Sequence, residues 1–554
     1  MTPGISRDER SEPGGVGGRP PTGRFEVNVL PGWPGGLAVD GLSAVLLVTL
    51  AVVLAAVLVH AAGEGFGARF HLLMLLFAAA MAVTVTATDL LLLLMGWEVM
   101  GATSYALIGH AWPEADRVRS ANVAFLTTRA ADLGLYAAAG FAVAGARSLR
   151  FGDLAGAGDP WRDLVAAGVV VAALGKSAQL PFSFWLSRAM AGPSQVSALL
   201  HSATMVAAGA YLLMRLHPLL AATGWAAGLV SWAGALTALV LGAVAVAERD
   251  LKQLLAASTC AQIGFMVLAA GAGAVGAGAA QLVAHAAVKS LLFLCAGMWA
   301  RRDRVVDVAF GVGALALAGV PPLSLWVTKD EVLGGAVERS GGLLAAGLAA
   351  SVLSAVYAGK ALVMLLRPSE GPRVRTVERV PLVALAVAAA SLGVLGVPAV
   401  ADGWRRMLGA AGEAGPEPWV VVLSGALALV TVAGVVAARR VPEPAWALDW
   451  LYLERAVTVG VVRPAFAAAR ALARFDDRVV DGAVRGTARG GRVLAGLAGR
   501  RVEFRVDGLV GAVGSAARVL AALARRPQTG QVHLYYAQAA VVLAVLVVVA
   551  LLAG

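Results

Sequence analysis

Runs of about 20 apolar residues recur along almost the whole 554-residue chain, separated by short polar or Gly/Pro-bearing joints. A helix of that length rises ~30 Å, the thickness of a bilayer's hydrocarbon core. The pattern predicts fourteen membrane spans, near 41–62, 70–88, 90–110, 121–146, 161–180, 193–216, 225–247, 252–271, 274–300, 306–326, 342–366, 381–401, 418–438 and 534–553. The expected fold is an all-α polytopic membrane protein. An even number of spans puts both termini on one side. Thirteen Arg and Lys residues in the loops after odd-numbered spans, against seven after even-numbered ones, then place both termini outside the cytoplasm.

Two stretches break the pattern. Residues 1–40 are polar and rich in Gly, Pro and Arg, with no apolar core of the kind a secretory signal has. Residues 439–533 hold sixteen arginines and eight acidic residues, a net of +8 out of the chain's +11. Arg463, Arg470, Arg474, Arg478, Asp481, Arg485, Arg489 and Arg492 recur at spacings of three, four and seven, and so fall on one narrow stripe of a helix. Ala, Val, Leu and Phe occupy the opposite face. This reads as an amphipathic helix lying along the membrane, interrupted at Gly490–Gly491 and resumed over 506–526, followed by a last span at 534–554. Its basic face fits anionic lipid, or a strut across neighbouring helices or subunits.

Composition agrees with a membrane solvent: 59% of residues are hydrophobic and 14% charged, where soluble domains carry about 25% charged. Because most of the net charge sits on the amphipathic tail, it does not point to nucleic acid. Cys260 and Cys295 both lie in apolar runs and form no metal-ligand or disulfide pattern. The chain has no phosphate-binding glycine loop, dinucleotide fingerprint or iron–sulfur cysteine pattern, so no cofactor and no metal are expected.

Lysine is used sparingly. Of 45 basic residues only five are lysines: Lys176, Lys252, Lys289, Lys329 and Lys360. Four of them lie within or at the end of apolar runs, while most arginines flank those runs. Arginine keeps its proton in essentially any environment, whereas a buried lysine can release one near neutral pH. A charge at mid-bilayer costs about 2.5–3.5 kcal/mol on insertion scales, so each needs a reason. Glu98, Asp132, Lys176, His201, His285, Lys289 and Lys329 are the candidates. His285 and Lys289, four apart, share a helical face. Arg129 and Asp132, three apart, are able to satisfy each other. Lys252 and Lys360 sit nearer span ends, where snorkelling is an equal reading. Pro181 and Pro321–Pro322 interrupt two spans close to Lys176 and Lys329. Paired broken helices are a pointer to repeat-built transporters.

These residues sit in strings that resemble the antiporter-like membrane subunit L family of NADH-quinone oxidoreductase (complex I). They are Gly96-Trp-Glu98, Gly175-Lys-Ser-Ala-Gln-Leu-Pro-Phe182, Ala189-Met-Ala-Gly-Pro193 with Val196-Ser-Ala-Leu-Leu-His201, His285-Ala-Ala-Val-Lys289, Thr328-Lys-Asp-Glu-Val332 and Asp449-Trp-Leu-Tyr452. The resemblance runs from about Asp40 to Gly554. It implies two inverted five-helix repeats, expected over 70–216 and 225–366, preceded by N-terminal helices in 41–110 and followed by further helices over 381–438. It implies the lateral helix on the cytoplasmic side, and a carboxylate at Glu98 paired with Lys176. His201, His285, Lys289 and Lys329 would continue a hydrated polar axis, and Asp132 matches a family acid. Against the family pattern, a polar Gly/Pro-rich stretch stands where two initial helices would be expected, and Arg188 stands for an acid, Gln195 for a proline, Gln281 for a histidine and Lys360 for an arginine.

The function this implies is proton translocation as a membrane subunit of a bacterial NADH-quinone oxidoreductase-like complex in the respiratory chain. The driving energy would come from a redox partner. The alternatives are a cation/proton antiporter subunit of the Mrp type, or a membrane subunit of a hydrogenase-type or inorganic-carbon uptake complex. The expected partners are other membrane subunits and the lipid bilayer.

Overall fold

A computed structural model describes residues 24–30, 33–301, 303–366 and 374–554. Most of the polar N-terminal segment, and Arg302, Arg367 and Arg373 of the loop-charge count, lie outside the described residues. The chain divides into two compact units, Met1–Arg455 and Ala456–Gly554.

The first unit is a helical bundle with one two-stranded sheet. The strands Arg24–Leu30 and Trp33–Ala38 pair antiparallel. An all-helical expectation misses them, because Gly and Pro suppress helix without announcing a strand. Asp89 ties the sheet to the bundle. One of its carboxylate oxygens accepts from Gly36 N at 3.0 Å and the other from Leu91 N and Leu92 N, capping the next helix. Twelve stretches of the described residues are helical, long and apolar enough to cross a membrane, one of them being the extended tail helix Trp450–Arg525. This is a multi-pass membrane protein.

Predicted spans near 161–180 and 306–326 are each broken. Helix Trp161–Lys176 ends at the turn before Phe184–Ala189, and Arg304–Ala318 ends before Ser324–Arg339. A third break was not foreseen. The expected single span over 193–216 divides into Ser194–Leu200 and Met205–Arg215, with His201 at the joint.

Helices meet through small residues. A Cβ added to Gly134 would lie 2.6 Å from the Gly168 carbonyl oxygen, and one on Gly168 would lie 2.3 Å from that of Gly134. Gly234 and Gly264 repeat the arrangement at 2.5 and 2.6 Å. Lipid offers no hydrophobic drive between helices, so close backbone approach supplies the packing.

In the second unit the chain stays helical from Ala456 to Arg525, then turns into Val532–Ala553. The predicted interruption at Gly490–Gly491 is absent: both lie inside helix Asp481–Leu497. The departures are instead π turns at Thr458–Val462, Asp476–Val480 and Ala498–Glu503. A π turn holds more residues than an α turn.

Candidate functional site

Helices Leu90–Ile108, Ala115–Ala146 and Trp161–Lys176 build the first cluster. Lys176 Nζ lies 3.2 Å from Asp132 Oδ2, with the lysine fully buried and the carboxylate nearly so. Trp97 Nε1 donates to Asp132 Oδ1 at 2.6 Å, and the ammonium sits 4.9 Å from the Trp97 ring centroid. Gly101 leaves room on the same helix, its nearest neighbour being Lys176 Nζ at 3.6 Å from where a Cβ would stand.

The expected Glu98–Lys176 pair is not what forms. Glu98 pairs with Arg129 and accepts from Tyr136 OH at 2.8 Å, and its side chain is 20% exposed. Consecutive residues of a helix point about 100° apart, so Trp97 and Glu98 cannot both face Lys176. Trp97 takes the interior direction and Glu98 the flank. Nor do Arg129 and Asp132 satisfy each other, because each has a partner on a neighbouring helix. The two pairs are linked through one helix, since Arg129 and Asp132 stand three residues apart on Ala115–Ala146.

Helix Val275–Gly297 strings together the next groups, with Gln281, His285 and Lys289 on one face at four-residue spacing. Lys289 Nζ donates to the Leu255 carbonyl at 3.0 Å and contacts Ser258 Oγ. Among the described residues it has no carboxylate partner, so dipoles alone answer its charge. One ring nitrogen of His285 meets the Ser202 carbonyl at 3.0 Å, and Ser202 and Ser290 share a hydroxyl bond of 2.7 Å. His285 Nε2 and both nitrogens of His201 are buried without a partner among the described residues. His201 lies between the rings of Trp185 and Phe293, at 6.2 and 6.3 Å between centroids. Each of these nitrogens is free to exchange a hydrogen bond with a mobile partner such as water.

Lys329 closes the series at the second broken helix. Its ammonium donates to Ser354 Oγ at 3.1 Å and the Leu317 carbonyl at 3.4 Å. From Ser354 a continuous network runs through Tyr357 and Gln262 to Gln281 and Thr328, with links of 2.6–3.1 Å. Gln281, standing where a family histidine was expected, is thus the donor and acceptor that carries the network across. Asp330, next to Lys329, accepts from Ser424 at 2.9 Å.

The other two lysines stand apart. Lys252 caps the helix break at 190–193, donating to the Met190 and Gly192 carbonyls at 2.9 and 2.8 Å, rather than snorkelling. Lys360 is held by Glu443 at 2.9 Å and by the Val246 and Ala247 carbonyls. Gln195, at the expected proline position, contacts His60 at 3.3 Å. Sequence reasoning missed Trp97 as a partner of both Asp132 and Lys176. It also missed Ser258, Gln262, Ser354 and Tyr357. The available signal was polar residues three or four apart within apolar runs.

The chain matches the family model for the NADH:quinone oxidoreductase/Mrp antiporter transmembrane region over residues 87–354. It is 35% identical over 398 residues to NADH-quinone oxidoreductase subunit L of Escherichia coli, covering 65% of this chain and 64% of that protein. With NADH-quinone oxidoreductase subunit L of Pseudomonas aeruginosa it shares 32% identity over 447 residues, 70% of this chain and 71% of that one. Two solved structures share the fold. One is of an Mrp complex from Dietzia sp. DQ12-45-1b, with a TM-score of 0.67 and 28% identity over 92% of this chain and 58% of that one. The other is of respiratory complex I from Thermus thermophilus with bound aureothin, with a TM-score of 0.59 and 26% identity over 66% of this chain and 86% of that one. By sequence, by shared fold and by the buried lysines its helices assemble, the chain belongs to the antiporter-like membrane subunit family that includes NADH-quinone oxidoreductase subunit L.

Proposed function

We propose that this chain moves protons through a membrane complex along the axis Asp132–Lys176, His201, His285, Lys289 and Lys329. The observation that carries the reading is the burial of Lys176, Lys289 and Lys329, together with buried imidazole nitrogens of His201 and His285 that have no partner among the described residues. Burial of an ionisable group inside a membrane protein is hard to sustain without a use for its proton.

The geometry supports a two-step displacement. Asp132 holds Lys176 charged. Glu98 answers Arg129, which stands one helical turn from Asp132, the partner of Lys176. Drawing Glu98 away from Arg129 leaves an uncompensated positive charge near Lys176, which favours release of its proton. Glu98 thus acts on Lys176 through Arg129 rather than by touching it. The released proton passes by water and histidine to Lys289 and on by water to Lys329, whose ammonium is positioned by the Ser354–Tyr357–Gln262–Gln281 network. Glu98 and Arg129 are partly exposed on the bundle's flank, where a neighbouring membrane subunit would set their separation. Energy would come from such a redox-linked partner. Both termini would lie outside the cytoplasm, and the basic lateral helix on the cytoplasmic side of the membrane.

A second reading is cation/proton antiport as part of an Mrp-type assembly. The match to the Mrp structure covers 92% of the chain, more than the first unit's 455 of 554 residues can supply. A tail helix therefore does not distinguish the two. Sealed vesicles holding the assembled complex separate them. Proton movement that is independent of sodium supports the redox-linked pump. Obligatory exchange of labelled sodium for protons, with no response to quinone or NADH, overturns it in favour of antiport.

A further inference from the structure

Each of the two proline breaks frees a carbonyl, and the two carbonyls are answered differently. Proline has no N–H, so the residue four places before it loses the donor that a continuing helix would supply. Before Pro181 that residue is Ser177, whose carbonyl accepts from the Gln179 amide at 2.9 Å. Before Pro321 it is Leu317, whose carbonyl accepts from Ser354 Oγ at 2.7 Å and from Lys329 Nζ at 3.4 Å. The second break is thus closed by a hydroxyl that also serves a buried lysine. The ammonium stands against the break itself: a Cβ on Gly319, the left-handed cap at φ 80°, would lie 2.9 Å from Lys329 Nζ.

Ser354, buried on helix Gly341–Leu365, has more donors than seats. Its oxygen carries two lone pairs. Three donors reach it: Lys329 Nζ at 3.1 Å, Gln262 Nε2 at 3.1 Å and Tyr357 OH at 3.0 Å. Its own hydrogen goes to Leu317. While Lys329 is charged, the charge-assisted bond takes one lone pair, and Gln262 and Tyr357 contend for the other. An ammonium that gives a proton to water keeps two N–H groups and gains a lone pair, which calls for a donor. Ser354 is the hydroxyl already bonded to it. Turning the Ser354 hydrogen from Leu317 to Lys329 satisfies the amine and leaves both lone pairs for Gln262 and Tyr357. What is lost is the bond to Leu317, whose carbonyl keeps only the lysine nitrogen at 3.4 Å. One hydroxyl bond is exchanged for another, so the proton on Lys329 decides which is made.

We propose that Ser354 is a hydroxyl switch that couples the charge on Lys329 to the closure of the second helix break. Its use in transport rests on the reading above; the hydrogen-bond exchange does not. Among the described residues, Asp330 on the same helix is the charge felt at Lys329, and it is bonded to Ser424 of helix Pro418–Ala438. Tyr357 is the titratable group facing the site from helix Gly341–Leu365. Gln262, Gln281 and the Leu317 carbonyl, from the three other helices of the network, are uncharged.

The test is amide hydrogen–deuterium exchange of residues 317–323 in the assembled complex, read by mass spectrometry from about pH 6 to 9 and corrected for the intrinsic exchange rate. Wild-type protection is expected to fall about threefold to tenfold as pH rises, the weight of one hydrogen bond. Lys329→Met should remove that dependence, Ser354→Ala should give low protection at every pH, and Ser354→Thr should restore the wild-type response. A wild type without the dependence, or a dependence that survives in Lys329→Met or Ser354→Ala, overturns the switch. If the alanine variant does not assemble, Ser354→Cys, a weaker donor, takes its place and should shrink the response; an unchanged response overturns the switch. Proton movement per turnover is expected to fall in Ser354→Ala and recover in Ser354→Thr. Undiminished movement in a variant whose exchange no longer responds overturns the use in transport. If the wild-type complex moves no protons, the transport reading fails while the exchange series still decides the switch.

Discussion

The ammonium of Lys176 lies 3.2 Å from the Asp132 carboxylate, and the exposure of the two side chains is 0% and 3%. Glu98, one residue after the tryptophan that braces this pair, is turned to the flank and bonded to Arg129. The direct counter-ion and the outward-facing carboxylate are therefore different residues, and removing them has different consequences.

Asp132→Asn leaves a buried lysine without its charge partner. Breaking a buried pair costs about 3–5 kcal/mol. The variant is expected to lower the thermal stability of the complex and to cut proton movement at least about tenfold. Glu98→Gln touches a part-exposed pair and should leave stability within about 1 kcal/mol, slowing transport without unfolding. Equal loss of stability in the two variants would sink this division of roles.

Trp97 contributes an indole N–H to Asp132 and a ring face to Lys176. Trp97→Phe keeps the ring and loses the hydrogen bond, worth about 1.5–3 kcal/mol to a charged acceptor. Trp97→Ala loses both. Transport rates are expected to fall in the order wild type, Trp97→Phe, Trp97→Ala. A phenylalanine variant as slow as the alanine one would assign the whole effect to the hydrogen bond.

Gly234 and Gly264 let helices Ala226–Ala247 and Leu251–Ala272 touch by their backbones. Gly264→Val forces them apart, and overpacking of this kind costs about 1–3 kcal/mol. The yield of folded complex in detergent should drop. Gly140→Ala and Gly434→Ala, where no atom lies within 4 Å of the added carbon, should leave the yield unchanged.

Glu248 ends helix Ala226–Ala247 outside the span and accepts from Trp450 Nε1 at 2.7 Å. Burial pushes its carboxyl up from 4.5 to about 7, against the opposing hydrogen bond from Trp450. The folded state therefore holds this proton more tightly than the unfolded chain. Its contribution to stability is complete below about pH 4.5 and is lost as pH rises through about 7. Tryptophan emission is expected to titrate near pH 7, and Glu248→Gln should abolish that component. A midpoint near 4.5 would contradict the assignment.

Much of this was legible in the chain. Lys176, Lys289 and Lys329 stood out because a charge inside an apolar run is conspicuous, and Pro181 and Pro321–Pro322 marked the two foreseen breaks. Within one helix, spacing also sufficed: His285 and Lys289 share a face as four-residue spacing requires. What the chain did not reveal was which helix faces which. Trp97 and Glu98 are neighbours in sequence, and only the packing of three helices decides which one meets Lys176. Ser258 and Ser354 offered only their spacing, four from Gln262 and three from Tyr357, because a serine in a membrane helix ordinarily bonds its own backbone and nothing local names the lysine it serves. The break at His201–Thr204 carries no proline to announce it. Gly490–Gly491 misled in the other direction, because a glycine pair lowers helix propensity by only about 1 kcal/mol per residue and the surrounding helix persists through it.

The most direct test of the account is proton movement into sealed vesicles containing the assembled complex, read alongside the rate of the reaction that drives it, for Lys176→Ala and Lys289→Ala. Each variant is predicted to assemble and to lose at least about 90% of this subunit's share of proton movement, since a hydrocarbon side chain cannot carry the proton. Wild-type proton movement per turnover in both variants, with the complex intact, would contradict the axis.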